Sequence, residues 1–328
     1  MTRYSIFSLA RNAFNNHRDW PAAWHSPEPK AEYDVIIIGG GGHGLATAFY
    51  LAEEHGVTNV AVLEKGWLGG GNTGRNTAIV RSNYLLEGNA HFYEKSMKLW
   101  ETMSQELNFN VMMSHRGVLN LAHSDPQVDA FQRRGNAMRL NGIDAEYLDR
   151  NEIQRLVPLL DCSDNTRYPI MGGLLQPRGG TARHDAVAWG YARGADARGV
   201  DIIQNCEVTG IKRDDGRVTG VETTRGAIKT KKVGIAVAGH TTQLCQMAGV
   251  DVPIESHVLQ AMVSEPIKPC LNTVVTSGAA HCYISQSDKG ELVFGGDLDG
   301  YNSFAQRGNF PIIEHVVASV CALFPAFN

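Results

Sequence analysis

A run of apolar residues leads directly into a cluster of glycines near the start of the chain, in the sequence DVIIIGGGGHG at residues 34–44. A short continuous apolar run bounded by turn residues predicts a strand buried on both faces, here over residues 34–38. The next segment, HGLATAFYLAEEHG, predicts a helix that ends at Gly56, because glycine readily adopts the conformation that closes a helix. A second apolar run predicts a strand over residues 59–66. This order of elements predicts a βαβ unit.

After this unit the hydrophobic pattern gives way first to a polar segment and then to helices and short strands. The segment WLGGGNTGRNTAIVRSNY, at residues 67–84, is polar and rich in glycine, and it predicts a long loop rather than a packed helix. Segments whose apolar residues have helical spacing then alternate with short predicted strands. The predicted helices cover residues 89–107 (with Phe92, Met97, Trp100 and Met103 on one face), 127–142, 151–160 and 185–199.

Alternation of apolar and polar residues predominates in the second half of the chain. A strand over residues 200–213, a DDGR turn at 214–217 and further alternation predict an antiparallel ribbon. The ribbon is expected to return to the parallel sheet at VGIAVAG, residues 233–239. Strands are predicted again from residue 251, and the segment PIIEHVVASVCALFP predicts a final helix.

Composition narrows the class of protein without naming a function. The chain has 328 residues, of which 43% are hydrophobic and 20% charged, so it is long enough for two globular domains. A formal net charge of -4 argues against a nucleic-acid-binding protein, which normally presents a basic face. The six cysteines are scattered without metal-ligand spacing, which predicts free thiols in a reducing compartment and no metal site.

The N-terminal segment shows no membrane or secretion signal. No apolar run reaches the roughly 20 residues that a membrane span needs, and the first residues lack the pattern of a secretory signal. Residues 1–30 are slightly basic and mildly amphipathic, so we interpret them as an arm that packs on a partner subunit, in preference to a transit peptide. The expected location is the cytoplasm of a bacterial-type cell.

The glycine cluster has the spacing of a dinucleotide site. Gly39, Gly41 and Gly44 form G-x-G-x-x-G between a strand and a helix. The first glycine permits the turn, the second lets a pyrophosphate approach the backbone, and the third lets helix and strand pack closely. Glu64 ends the second strand, where an acid can accept a hydrogen bond from a ribose hydroxyl and disfavours the 2′-phosphate of NADP. The long polar loop and the later ribbon favour FAD over NAD.

The residues also carry a family resemblance. The segment from residue 34 to residue 84, together with LLQPRGGTARHDAVAWGYARGA, resembles the D-amino-acid-oxidase-like FAD family, which includes glycine oxidase, dimethylglycine dehydrogenase and the sarcosine oxidases. Within that family the chain is similar to the flavin-carrying subunits of heterotetrameric sarcosine oxidases, over residues 30–328 and in its arm. The resemblance implies a Rossmann-like α/β FAD-binding domain with a β-ribbon, and an α+β substrate domain built on an antiparallel sheet.

The resemblance also implies domain boundaries. The FAD-binding domain is expected over residues 31–113 and 175–250, and the substrate domain over 114–174 and 251–328. The family continues past residue 328 with a segment that contacts the flavin ring and supplies a lysine to the substrate. That segment is expected to be missing here, so we expect exposed apolar core and poor solubility without it.

The activity implied by the resemblance is the oxidation of sarcosine, N-methylglycine, to glycine. The expected cofactors are noncovalent FAD and covalent FMN, where O2 becomes hydrogen peroxide. The one-carbon unit would be transferred to tetrahydrofolate on the alpha subunit of an assembly that also has gamma and delta subunits. The resemblance allows NAD and zinc on other subunits only, and neither nucleic acid nor a membrane is an expected partner.

Site residues follow from matching the family's motifs onto this sequence. His184 matches the histidine linked to FMN; it precedes a helix predicted to start near Asp185, and a helix N-terminus disfavours the imidazolium form. Arg178 is a weaker match to the FMN phosphate. The residues that match FAD contacts are Gly39, Gly41, Gly42, His43, Gly44, Glu64, Lys65, Asn72, Thr73, Arg75, Thr77, Ile79, Val208, Ala238 and Gly239.

Arg81 is the predicted catalytic-site residue. It lies where sarcosine oxidases place an arginine on the substrate carboxylate, and a guanidinium can bind a carboxylate through two parallel hydrogen bonds.

One departure from the family concerns the reduction of oxygen. Monomeric sarcosine oxidases carry a lysine and a histidine where this chain has Val293 and Asp297. Electrons are therefore expected to leave for a second flavin rather than reach O2 at FAD.

Two alternatives remain open at this point. One is an FAD-dependent amine dehydrogenase of the dimethylglycine type, which passes electrons to a carrier protein and bears a histidyl FAD. The other is a flavin-holding assembly subunit whose catalysis depends on its partners. The flavin found on the denatured chain distinguishes the first alternative, and substrate-driven bleaching of the flavin in this chain alone distinguishes the second.

Overall fold

The computed structural model describes residues 5–18 and 22–328, which divide into two compact units. Unit 1 contains the described residues up to Arg75, with Ser104–Val111 and His184–Glu255. Unit 2 contains Asn76–Met103, Met112–Arg183 and Ser256–Asn328.

This division differs from the expected domain boundaries mainly in two segments, and residues 112–113 and 251–255 also fall in the other unit. Residues 76–103 and 175–183 belong to unit 2, although both were expected in the FAD-binding domain. The physical reason is strand pairing, because Ile79 pairs with Thr181 and Val80 with Gly180. The two segments therefore enter unit 2 together.

The strands and helices follow in chain order. The strands are β1 Val35–Ile38, β2 Val60–Leu63, β3 Ile79–Val80, β4 Ser114–His115, β5 Val118–Ala122, β6 Glu146–Leu148, β7 Gly172–Gln176, β8 Gly180–Thr181, β9 Asp201–Ile203, β10 Val208–Asp214, β11 Arg217–Thr223, β12 Gly226–Lys229, β13 Val233–Ile235, β14 His257–Pro266, β15 Val274–Ser277, β16 Cys282–Gln286 and β17 Glu291–Asn302. The α-helices are α1 Ile6–Phe14, α2 Gly42–His55, α3 Glu87–Glu106, α4 Asp125–Leu140, α5 Arg150–Leu156, α6 His184–Asp196, α7 Thr241–Met247 and α8 Phe310–Leu323.

Unit 1 is built on a parallel sheet with strand order β13-β1-β2-β9. β1 and β2 consist of the apolar runs VIII and VAVL, and their continuous apolar character matches a strand covered on both faces. α2 ends at Gly56, which has φ of 64°. The predicted βαβ unit and its glycine stop are confirmed.

The ribbon of unit 1 is the antiparallel sheet β10-β11-β12. Gly216, with φ of 73°, lies in its first turn, and the chain then returns to β13 beside β1. The predicted return to the parallel sheet is confirmed. The single strand predicted over residues 200–213 is wrong in one respect, because β9 and β10 are separate strands of two different sheets.

Unit 2 is built on a sheet with strand order β14-β17-β16-β15-β5-β7-β6. Its neighbours are antiparallel except for β15 and β5, which run parallel. α5 and α8 pack on this sheet around a core that includes Ile153, Val316 and Phe324. The predicted α+β architecture on a largely antiparallel sheet is thus confirmed.

Two sequence expectations about helices need comment. In α3 the buried residues are Ala90, Glu94, Met97 and Met103, whereas Phe92 is 70% exposed, so the predicted apolar face was wrong at Phe92.

α1 lies in the expected N-terminal arm and has no buried residue. Part of that arm, residues 1–4 and 19–21, lies outside the described residues. Among the described residues, no helix has both the length and the apolar character to cross a membrane.

Candidate functional site

The glycine turn of unit 1 has no room for side chains at two positions. A Cβ on Gly44 would lie 1.9 Å from the carbonyl oxygen of Gly39. A Cβ on Gly39 would lie 2.3 Å from the carbonyl oxygen of Ala236, and Gly39 has φ of 110°, a conformation that other residues rarely adopt. Tight packing of α2 against β1 and of β1 against the returning chain therefore requires glycine here.

The N-terminus of α2 lies against the polar loop that follows β2. Gly41 is the N-cap residue and offers no side-chain cap. The N–H of Gly42 donates to Oγ1 of Thr73 at 3.0 Å, and the N–H of Gly69 donates to the carbonyl of Gly40 at 3.0 Å. The glycine-rich loop after β2 thus folds back onto the turn. Hydroxyl and backbone groups surround the positive end of the helix, where a phosphate is favoured.

Glu64 is oriented by backbone groups on both sides. Its Oε2 accepts from the N–H of Gly40 at 2.8 Å, and its Oε1 accepts from the N–H of Gly66 at 2.8 Å. A carboxylate oxygen has a second lone pair, so both oxygens can still accept from a ribose hydroxyl. The side chain is half-buried at the end of β2, in the predicted position relative to the turn.

The other predicted FAD residues of unit 1 differ in their surroundings. Asn72 and Thr73 lie in a 3₁₀ turn that ends at Arg75. Arg75 donates to the carbonyl oxygens of Gly70 and Gly71, so its guanidinium faces its own loop. His43 is exposed on the first turn of α2.

The returning chain closes the other side of the turn. Ala238, with φ of 48°, and Gly239 begin a 3₁₀ turn that is separated from β13 by residues 236–237. Val208 is buried at the start of β10, in the same core cluster as Ile36. Ala238 and Gly239 therefore follow a strand of the sheet that carries the glycine turn, and Val208 packs in the core cluster of that unit.

His240 was not predicted and ends this 3₁₀ turn. Burial, and then the charge of Lys65, lower the pKa of the His240 imidazole. The predicted residue Lys65 therefore has a neighbouring histidine that is held toward its neutral form. A lone histidine after a strand carries no motif, so sequence reasoning had no signal for it.

These residues fit a dinucleotide. A bare glycine turn, a helix N-terminus whose N-cap residue has no side chain, and a carboxylate fixed after the adjacent strand are the groups that bind a pyrophosphate and a ribose. His184 is the first residue of α6, one residue earlier than predicted, and it is half-buried. The structure thus places His184 at a helix N-terminus, as the sequence predicted.

Arg81 lies in unit 2, directly after β3, which contains the predicted residue Ile79. Its guanidinium carbon lies 4.9 Å from the centre of the Tyr84 ring, and its Nη1 donates to Oδ1 of Asn83. Among the described residues, no carboxylate pairs with Arg81. Thr77, also predicted, hydrogen-bonds Tyr283 within the same unit.

A buried glutamine fixes the backbone next to Arg81. Gln176, which is 0% exposed, accepts from the N–H of Ser82 at 2.9 Å and donates to Oγ of Ser82 at 2.7 Å. Oγ of Ser82 in turn donates to Glu94 at 3.2 Å. Sequence reasoning missed Gln176, although it stands two residues before Arg178 in the quoted motif. A buried glutamine with both amide atoms bonded is a positioning group for the turn that carries Arg81.

Arg178 is surrounded by acids. Its Nη1 lies 2.8 Å from Glu94 and 3.7 Å from Asp144, and its Nε lies 2.8 Å from Glu101. Hydrogen bonds to Glu101 and Glu94 raise the pKa of the Arg178 guanidinium. A guanidinium already neutralised by carboxylates has little charge left for a phosphate, so these contacts count against its predicted FMN role.

The two positions that depart from monomeric sarcosine oxidases lie on β17. Val293 pairs with Val263 and Ser285 across the sheet. Asp297, with φ of 52°, has its Oδ2 3.0 Å from Nδ1 of His315. Among the described residues, no cluster of three or more His, Cys, Asp or Glu side chains could hold a metal ion.

The comparisons with known proteins agree with this geometry. The family model "FAD dependent oxidoreductase" (DAO) matches residues 34–328. The chain is 64% identical to "Sarcosine oxidase subunit beta" of Rhizobium meliloti (strain 1021) over 326 residues, which are 99% of this chain and 78% of that protein. It is 53% identical to the protein of the same name from Rhodobacter capsulatus over 328 residues, covering 100% of this chain and 79% of that one.

Among solved structures, L-proline dehydrogenase from P. horikoshii is similar in fold. It superposes with a TM-score of 0.84 at 27% identity, and the match covers 91% of this chain and 79% of that chain.

Proposed function

Because the chain belongs to the FAD-dependent oxidoreductase family, and within it to the beta subunits of sarcosine oxidase, we propose that it oxidises sarcosine with a bound FAD. The observation that carries the proposal is the glycine turn, where Gly39 and Gly44 leave bare backbone at the mouth of α2. The identity with the named relatives supports sarcosine as the substrate.

Unit 1 would bind the FAD. The N-terminus of α2 and Thr73 would meet the pyrophosphate, and Glu64 would accept from a ribose hydroxyl. Because two backbone N–H groups already orient Glu64, no side-chain ordering is needed when the ribose arrives. FAD, when bound, supplies the acceptor for the hydride that leaves the N-methyl group of the substrate.

Unit 2 would bind the substrate carboxylate through Arg81. Its guanidinium has no acid partner among the described residues, so its charge is available for a bidentate pair. The Gln176–Ser82 hydrogen bonds hold the adjacent backbone, which limits the freedom of Arg81 before substrate binds. Orientation of the substrate, rather than acid–base chemistry, is the role we assign to this residue.

The finer proposal concerns the second flavin and the assembly. The electrons would leave through an FMN attached to His184, with O2 reduced to hydrogen peroxide. The one-carbon unit would go to tetrahydrofolate on an alpha subunit, in an assembly with gamma and delta subunits. The relatives' names as subunits and the position of His184 at the start of α6 support this proposal.

Mass spectrometry of the flavinylated peptide tests the flavin assignment. We expect FMN on a peptide that contains His184, and its loss in His184→Asn with FAD content unchanged. The matched control is His240→Asn, which should keep the covalent flavin. FAD found covalently on the chain would contradict the proposal and favour a dehydrogenase of the dimethylglycine type.

Anaerobic addition of sarcosine to the purified, flavin-loaded protein tests the activity. We expect bleaching of the FAD absorbance, since substrate oxidation at FAD does not require O2. Bound FAD that sarcosine does not bleach, in the isolated chain and in the complete assembly alike, would contradict the proposal. Bleaching only in the assembly would support the alternative of a flavin-holding subunit that depends on its partners.

A further inference from the structure

The turn that follows Arg81 brings an aromatic ring onto the face of its guanidinium. The N–H of Tyr84 donates to the carbonyl oxygen of Ser82 at 2.9 Å, which closes a tight turn of three residues. The guanidinium carbon of Arg81 lies 4.9 Å from the centre of the Tyr84 ring. A cation within about 6 Å of the centre of an aromatic ring is attracted to the ring face. Tyr84 therefore holds the Arg81 guanidinium from its flat side.

A second tyrosine holds the Tyr84 ring in place. Tyr93, on α3, stacks on Tyr84 with 3.8 Å between the ring centres and 18° between the ring planes. The two side chains also hydrogen-bond each other. α3 is itself fixed in unit 2 by its buried side chains, among them Ala90 and Met97. The Tyr84 ring therefore cannot turn away from Arg81 without losing its stack on Tyr93.

An aromatic ring holds a guanidinium in a different way from a carboxylate. Carboxylates bind the N–H groups and cancel the charge, as Glu94 and Glu101 do at Arg178. The N–H groups of a guanidinium lie in its plane, so a ring against its face leaves them to other partners. Burial raises the pKa of the Tyr84 hydroxyl, so the ring is a neutral phenol at neutral pH. Tyr84 thus orients Arg81 without neutralising it.

We propose that Tyr84 is a positioning residue of the carboxylate site, whose ring, backed by Tyr93, fixes the plane of the Arg81 guanidinium so that two of its N–H groups can meet a carboxylate. The inference rests on the proposed function for the role of Arg81 itself. An arginine side chain loses rotational freedom when it binds a ligand, and a guanidinium that is oriented beforehand loses less. Tyr84 therefore strengthens carboxylate binding through Arg81 alone.

Binding of butyrate tests this role apart from oxidation. Butyrate has the shape of sarcosine with a methylene group in place of the amine, so it offers the carboxylate but is not an amine substrate. In Tyr84→Leu, calorimetric titration of the flavin-loaded protein should show a butyrate affinity lower by roughly five- to tenfold, the effect of one lost cation–π contact. Tyr84→Phe should stay within about twofold of the wild type, because the ring remains. A wild-type affinity in Tyr84→Leu would overturn the inference.

The matched control is Tyr168→Leu. It removes another tyrosine of unit 2 that lies against an arginine, since the guanidinium carbon of Arg167 is 5.3 Å from the centre of the Tyr168 ring. The butyrate affinity of this variant should equal that of the wild type. An equal loss in Tyr168→Leu and Tyr84→Leu would show that loosened packing in unit 2 weakens binding, and it would exclude a specific role for Tyr84.

Steady-state kinetics separate positioning from a purely structural role. In Tyr84→Leu the sarcosine KM should rise by a factor similar to the loss in butyrate affinity, while kcat changes little, because the lost interaction acts on binding. A variant that had only lost folded protein would show a lower kcat at an unchanged KM. That result would contradict the inference.

A double-mutant cycle shows whether Tyr84 acts through Arg81. In an Arg81→Gln background, Tyr84→Leu should cause no further fall in the kcat/KM for sarcosine, because no guanidinium remains to be held. An equal fall in both backgrounds would overturn the inference and leave the role of Arg81 intact. If Arg81→Gln changes neither butyrate affinity nor KM, the proposed role of Arg81 fails and the inference fails with it. If sarcosine is not oxidised but the butyrate results hold, the substrate assignment fails and the role of Tyr84 stands.

Discussion

The glycine turn of unit 1 and the arginine segment of unit 2 are both candidate binding sites, but they are built from different groups. The turn uses backbone N–H groups, and its geometry depends on the absence of side chains at Gly39 and Gly44. The segment around Arg81 uses side chains, and its capacity to bind an anion depends on Arg81 having no carboxylate partner among the described residues. The space left by missing side chains therefore determines whether the first site can bind its ligand, and the balance of nearby charges determines this for the second.

The contrast is sharpest between Arg81 and Arg178. Both belong to unit 2 and both were matched to anionic ligands by resemblance. Arg178 is bonded to Glu94 and Glu101, whereas Arg81 is bonded to the neutral amide of Asn83. The residue type alone does not make an anion site. The acids that surround the guanidinium determine whether its charge remains available.

The largest expected effect comes from filling the glycine turn. In Gly44→Ala the new methyl group would collide with the carbonyl oxygen of Gly39, at 1.9 Å, and neither backbone can move freely. We expect a loss of about 3 kcal/mol or more in the free energy of unfolding, at the upper end of overpacking. Bound FAD should also be lost. Denaturant unfolding and flavin absorbance measure both effects.

Gly42→Ala is the matched control in the same turn. Its Cβ would have no atom nearer than 3.8 Å, so the variant should fold with near wild-type stability. Full stability and full FAD content in Gly44→Ala would show that the turn is not sterically limited in the way described.

The next effect should come from Arg81. Arg81→Lys removes the planar pair of donors, so the sarcosine KM should rise by roughly 10- to 100-fold, the range for one charge-assisted hydrogen bond. FAD content should stay unchanged because Arg81 lies in the unit that does not carry the glycine turn. Steady-state kinetics and flavin absorbance measure these outcomes. Arg167→Lys, at an exposed arginine of the same unit, is the control, and an unchanged KM in Arg81→Lys would remove Arg81 from the carboxylate role.

The smallest effect is expected at Arg178. Arg178→Gln leaves the largely buried Glu94 carboxylate without its cation, so the free energy of unfolding should fall by about 2 kcal/mol. The sarcosine KM and the covalent flavin should not change, because these carboxylates already neutralise the arginine. Denaturant unfolding and kinetics measure the two quantities.

Arg150→Gln is the control for this change, since Arg150 pairs with the exposed Asp164 and should contribute under about 1 kcal/mol. Loss of covalent FMN in Arg178→Gln, with stability preserved, would return Arg178 to the phosphate role and remove the contrast with Arg81.

Local patterns predicted most of unit 1. The apolar runs of β1 and β2, the helix between them and the closing Gly56 all follow from residues that are near in sequence. The ribbon was predicted for the same reason, since its turn at Gly216 joins adjacent strands. The error at Phe92 has a tertiary cause. Tyr93 stacks on Tyr84 at 3.8 Å between ring centres, and α3 buries Ala90, Glu94 and Met97 instead.

The candidate site was predictable to the extent that it consists of backbone. A glycine spacing records where side chains are forbidden, and that constraint acts between neighbouring elements. Gln176 carried no such signal, because its role depends on contacts with residues far away in the sequence. Gln176 is 94 positions from Ser82, to which it is bonded.

The sequence by itself determined the dinucleotide turn and the βαβ order of its strands, because short-range periodicity and glycine spacing are local properties, and its motifs carried the family resemblance. Only the tertiary structure decided which arginines keep their charge available. Arg178 meets Glu94 across 84 positions of sequence, while Arg81 pairs with the neutral amide of Asn83 and with no carboxylate among the described residues. The charge balance around an arginine depends on the residues that surround it in space, and only the folded structure determines which residues those are.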